Sequence, residues 1–274
     1  MSSIGHIEQT DPPRPPKETL PTMYDLPSED PEEPGLPDEF HLWQPQLLSF
    51  TFQPPAYSRD RIFTASDLNL YYDVRHTNWY KRPDWFAVVG ISRLYEERNL
   101  RLSYVMWQEG VRPIIAVELL SPGTEAEDLE QKQRIAEQPP TKWEVYEQIL
   151  AIPYYVTFDR YTDRLRAFTL VSDRYQELEL QEPTLWIPTL ELGLGLWQGR
   201  YRDINRQWLR WYDANGNWLP TEAEMARRRA EETEALLEQE RQRAEQERQR
   251  AERLAQRLRA LGINPDDETP SDNS

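Results

Sequence analysis

The sequence predicts an α/β (α+β) chain: a mixed β-sheet flanked by helices, followed by one long C-terminal helix. Three observations predict it. Short segments in the middle of the chain are apolar on both faces, as buried strands of a mixed sheet are. One amphipathic helix signal sits between two of them, and the C-terminal fifth repeats every seven residues.

Residues 1–39 hold many prolines and the acidic cluster "PSEDPEEPGLPDEF", a composition too polar for a packed core, and are expected to be partly disordered. The folded domain is expected over 40–220. Its first strand signal is "DLNLYYDV", where Leu68, Leu70, Tyr72 and Val74 alternate. Further strands are expected in "WFAVVG", "LSYVMW", "PIIAVELL", "PYYVTFD", "RLRAFTLV" and "YQELEL". The helix signal is "PPTKWEVYEQILAIP": Thr141 and Glu144 have the spacing of a capping box, and Trp143, Tyr146, Ile149 and Leu150 form one apolar face. Asn215-Gly216 in "WLRWYDANGNWLP" predicts a tight hairpin turn. "LGLGLWQG" lacks the lysine and glycine spacing of a phosphate loop.

Over 221–262, Ala230, Leu237, Ala244, Ala251 and Leu258 recur every seven residues, which predicts a long helix. The companion seam, Thr233, Glu240, Glu247, Leu254 and Leu261, is polar in its middle, so a helix held by Glu/Arg pairs and a weak coiled coil joining copies into a homo-oligomer both fit. Residues 263–274 are expected to be a disordered tail.

Composition excludes several chemistries. Without cysteine there is no disulfide framework, thiolate metal site or cysteine nucleophile, which fits a reducing compartment. His6, His41 and His76 are too few for a histidine-rich zinc site. No apolar run reaches the roughly 20 residues of a membrane span, and the N-terminus lacks the order of a secretion signal, so a cytoplasmic protein is expected. A net charge of −16 weighs against non-specific nucleic-acid binding.

Two buried strands nevertheless carry single acids. Asp84 opens "DWFAVVG" and Glu118 sits inside "PIIAVELL". An ionised carboxylate in such surroundings needs a partner, a proton or a cation. Two converging on one spot make an oxygen site for a hard cation such as Mg²⁺. Lys142, in the first helical turn where the macrodipole disfavours positive charge, is the candidate cation beside the reacting phosphate. Plainer readings stand beside these: a turn role for Asp84, a pairing of Glu118 with Arg112, a solvated Lys142.

The ordered set Pro83-Asp84, "AVELLSPGT" with Glu118 and Ser121, Lys142 with Tyr146 in "KWEVY", then "ILAIPYYVTFD", resembles the Uma-two family of the restriction-endonuclease-like, PD-(D/E)XK nuclease superfamily, over about residues 20 to 190. The resemblance implies a mixed-sheet core flanked by helices, dependence on Mg²⁺ or Mn²⁺, and hydrolysis of DNA phosphodiesters. It matches Asp84 and Glu118 to the metal carboxylates, the Leu119 carbonyl to a further ligand and Lys142 to the catalytic lysine, with Ser121 and Tyr146 supporting. Lys132 competes for the lysine's place but has Ala136 where Lys142 has Tyr146, and Glu39 is the candidate for an additional helix glutamate. Two other functions remain in view: a non-catalytic scaffold assembled through the C-terminal helix, and a serine hydrolase built on Ser121 with His76.

Overall fold

In the computed structural model, residues 38–120 and 139–261 are described. The expectations for residues 1–37, Ser121, Lys132 and 263–274 lie outside them. The chain divides between Leu219 and Pro220 into two units.

The first unit is a mixed α/β domain. Helix α1 (Glu39–Thr51) precedes β1 (Ile62–Ala65), β2 (Leu70–Tyr71), β3 (Tyr80–Lys81), β4 (Trp85–Val89), β5 (Tyr104–Val105), the single turn α2 (Met106–Glu109) and β6 (Ile115–Leu120). Helix α3 runs as an α-helical segment, Lys142–Glu144, into a π-helical turn, Val145–Ile149. β7 (Tyr154–Asp159), β8 (Arg164–Val171), β9 (Arg174–Glu177), β10 (Thr184–Ile187), β11 (Leu192–Tyr201) and β12 (Ile204–Tyr212) complete it.

Six strands form the central sheet in the order β1-β4-β6-β7-β8-β9, with β6 and β7 parallel and the other pairs antiparallel. All six residues of β6 are buried, as a strand covered on both faces requires. Alternation sends Ile115, Val117 and Leu119 into one core with Trp85, Val156 and Phe158, closed by α1 and the sheet β10-β11-β12. The opposite face carries Phe86, Ala116, Tyr155 and Phe168 into a second core under Trp143, Val145, Tyr146 and Leu150 of α3. Gln44 fixes α1 to β12 by bonding both backbone groups of Leu209 at 2.9 Å.

Several expected elements are shorter or differently phased. β2 stops at Tyr71, because Asp73 turns the chain by accepting from the amide of Arg75, and Val74 is exposed. "LSYVMW" is a strand only over Tyr104–Val105; Met106–Glu109 then form one helical turn closed by Gly110 at φ +69°. In α3 the amide of Leu150 bonds the carbonyl of Val145, five residues back, and this wider turn moves Ile149 off the apolar face into solvent. "LGLGLWQG" is part of β11. Its Gly193 lies under the ring of Tyr212, where an added Cβ would stand 1.9 Å from a ring carbon. At Asn215-Gly216 the chain reverses between Asp213 and Asn217, with Tyr212 bridged to Trp218.

The second unit contains α4 (Glu222–Ala260), opened by a complete Thr221/Glu224 capping box. Pairs such as Arg227–Glu231 and Arg243–Glu247 run along it, and Leu236, Leu237 and Leu254 are exposed.

Candidate active site

The site grows from the ends of β4 and β6. Trp85 pairs with Val117, so Asp84, one residue before β4, stands opposite Glu118. Asp84 Oδ2 accepts from the Leu119 amide at 2.6 Å, and the Asp84 amide lies 3.5 Å from Glu118 Oε2. One carboxylate thereby holds the peptide that follows the other.

Glu118 is wholly buried, and donors from α3 meet both of its oxygens. Lys142 Nζ lies 3.0 Å from Oε2, and Tyr146 OH donates to Oε1 at 2.8 Å. The local sequence explains the reach. Thr141 caps α3 and accepts from the Glu144 amide, fixing Lys142 in the first turn, and Tyr146 four residues on projects from the same side. Asp84, Glu118, Lys142 and Tyr146 therefore lie together. The positive charge of Lys142, set against the helix dipole, is balanced by the buried carboxylate.

The Leu119 carbonyl accepts from His41 Nε2 at 2.9 Å. The other ring nitrogen, Nδ1, bonds Asp38 Oδ1 at 2.9 Å, and Asp38 pairs with Arg160 at 2.5 Å. Both ring nitrogens face acceptors, an arrangement that favours the doubly protonated imidazole. Burial works against that charge, yet the bond to Asp38, the nearby charge of Asp84 and the Leu119 carbonyl outweigh it and raise the His41 pKa. Asp38 is itself partly desolvated, but its contacts with His41 and Arg160 hold its pKa below the usual carboxylate value.

Sequence reasoning missed His41 and Asp38 as site residues. The only local trace is an N-cap aspartate three positions before a histidine; the functional contact spans 78 residues of chain. Glu39 points elsewhere and accepts from Trp43 Nε1 on the exposed side of α1. His76 stacks on Trp79 and bonds Asp73. A cavity lined by Tyr95, Leu100, Arg101 and Glu109 contains none of the residues of this site.

Among the described residues, no group of three or more His, Asp or Glu side chains gathers to hold a metal. The donors present, the carboxylates of Asp84 and Glu118 from neighbouring strands and the Leu119 carbonyl, are of the hard oxygen type that Mg²⁺ accepts with water and substrate phosphate in its remaining positions.

The family model for Uma2, described as "Putative restriction endonuclease", matches residues 16–205. The chain belongs to the Uma2 family. None of the curated proteins matches it. A solved structure described as a "putative nuclease belonging to DUF820 from Anabaena variabilis" is a distant likeness of this Uma2 chain: TM-score 0.37, 8% identity, 55% of this chain and 71% of that chain covered. No helix among the described residues is long and apolar enough to cross a membrane.

Proposed function

We propose that this Uma2 protein is a divalent-metal-dependent endonuclease that hydrolyses DNA phosphodiester bonds. The observation that carries the reading is the meeting of Asp84 and Glu118 beneath Lys142. The family's description supports DNA as substrate.

Asp84 and Glu118 are the residues that would hold Mg²⁺ or Mn²⁺. When bound, such an ion polarises a phosphoryl oxygen and lowers the pKa of its water, supplying a nucleophile at neutral pH. The chain's own groups do the rest. Tyr146 fixes one oxygen of Glu118 and leaves the other to Lys142. The ammonium faces the carboxylate at 3.0 Å and supplies positive charge where the phosphate gains negative charge. The Leu119 peptide, held by Asp84 at its amide and by His41 at its carbonyl, keeps the two acids in register. The Leu119 oxygen keeps a second lone pair for a ligand role while His41 holds the first.

A second reading, a scaffold of the same fold with the site unused, is favoured by the net charge of −16 and by Lys142 already neutralising Glu118. Incubation of the purified full-length protein with plasmid and single-stranded DNA, in Mg²⁺, Mn²⁺ or EDTA, separates the two. The nuclease reading expects metal-dependent cleavage that Asp84→Ala and Lys142→Ala abolish. Cleavage equal in both variants comes from a contaminant, and no cleavage in either metal leaves the scaffold.

A further inference from the structure

On the α3 face of the central sheet the register lines up one row across four strands. Asp84 stands opposite Glu118, Glu118 pairs with Thr157, and Thr157 with Arg166. Residues paired across neighbouring strands project from the same face. The next row inward, Phe86, Ala116, Tyr155 and Phe168, is entirely apolar and belongs to the second core. The polar row is thus the edge where that core ends. Its acidic half is Asp84 and Glu118.

The other half is a hydroxyl and a guanidinium. Thr157 is completely buried, and its Oγ1 finds no hydrogen-bond partner among the described residues. A buried hydroxyl left unpaired costs about 1 to 3 kcal/mol, so the position asks for a group to bond. Arg166, one strand over, lies across the ring of Phe168 with its guanidinium 5.0 Å from the centroid, and gives Nε and Nη2 to Glu177 at 2.7 Å each. It is held in one orientation and remains partly open to solvent. Lys142 reaches the same row from above, and Arg164, paired with Asp159, follows in the next row outward.

We infer that Thr157 and Arg166 form the phosphate-binding half of the site, receiving the non-bridging oxygens of a DNA phosphodiester. The inference rests on the nuclease reading. An O–H donor beside a planar guanidinium suits a tetrahedral oxyanion, and the guanidinium can share two oxygens at once. Lys142 of α3 and Arg164 and Arg166 of β8 bring three cations to two adjacent rows at this end of the sheet. Asp84, Glu118, Asp159 and Glu177 oppose the phosphate there; Glu118 is offset by Lys142, and Glu177 serves as a placeholder that keeps Arg166 extended.

The test is binding of a short fluorescein-labelled single-stranded oligodeoxynucleotide to the full-length protein, by anisotropy over a salt series, in EDTA and again in Ca²⁺. Arg166→Gln is expected to weaken binding and to reduce the slope of log affinity against log salt by about 0.7, the value of one phosphate contact on a single strand. Thr157→Val is expected to weaken it about fivefold, the equivalent of one neutral hydrogen bond, without changing the slope, and Thr157→Ser to restore it. Arg227→Gln, in α4, controls for the loss of one positive charge. If the wild-type protein binds and both row variants bind equally well with an unchanged slope, the phosphate row is wrong while the nuclease reading stands. If the wild-type protein binds DNA in neither condition, the nuclease reading fails and takes the row with it. Should Thr157→Val not fold, Arg166→Gln and Thr157→Ser decide between the same outcomes.

Discussion

Lys142 reaches from the first turn of α3 to within 3.0 Å of Glu118 and sets an ammonium against a carboxylate that is wholly shielded from water. Breaking a buried pair from one side strands the other charge. Lys142→Met is therefore expected to lower stability by about 3 kcal/mol, whereas Glu118→Gln with Lys142→Met, which removes both charges, recovers much of that loss. Urea unfolding of Lys142→Met, Glu118→Gln and the double variant checks it; an additive double variant would show that the two groups are not coupled.

Tyr146→Phe removes a single hydroxyl that bonds Glu118 Oε1 and leaves the ring in the second core. The expected loss is about 1 to 2 kcal/mol, the cost of leaving one buried acceptor short of a donor. Thermal melting reads it directly.

The Asp38–His41 pair predicts a pH dependence of stability. His41 has a raised pKa in the folded protein, so its contribution is complete below the unfolded value of about 6.5 and is lost as pH rises through the raised folded value. Stability measured by urea unfolding between about pH 5 and 9 is expected to fall across that window, and His41→Asn is expected to flatten the fall. A profile unchanged by the substitution would mean that the ring does not titrate there.

Gly193 lies where an added methyl would meet the Tyr212 ring. Gly193→Ala is expected to destabilise the β10-β11-β12 sheet by about 1 to 3 kcal/mol, as overpacking does, and Gly193→Ala with Tyr212→Ala to relieve the clash. Melting temperatures of the two variants test this.

Helix α4 presents exposed leucines on a surface otherwise covered by Glu and Arg. Self-association of the full-length protein is expected, with fewer copies per particle after deletion of residues 221–274. Light scattering on both forms decides; an unchanged number of copies removes the helix as an assembly device.

The strands that the sequence located best are those buried on both faces. "RLRAFTLV" coincides with β8, and "PIIAVELL" contains β6. Helix α1 left no such signal, because Pro45 interrupts it and the polar residues His41, Gln44 and Thr51 share its buried face with Phe40, Leu47 and Leu48. Asp84, Glu118 and Lys142 could be singled out because each is a charge in a place that local physics disfavours. His41 could not, since nothing near it in the chain announces the Leu119 carbonyl it serves. The row through Thr157 and Arg166 was equally hidden: threonine and arginine are unremarkable in a strand until pairing shows which neighbours they stand beside.

The wide π-helical turn of α3 also acts as a phase shifter. Lys142 and Tyr146 address Glu118 from one end of the helix while Leu150 anchors the other in the core, and the turn supplies the extra residue that lets both ends be satisfied. Deleting one residue among 147–149 would return the helix to ordinary winding and rotate its two ends out of step, so the length of this segment sets the phase between them.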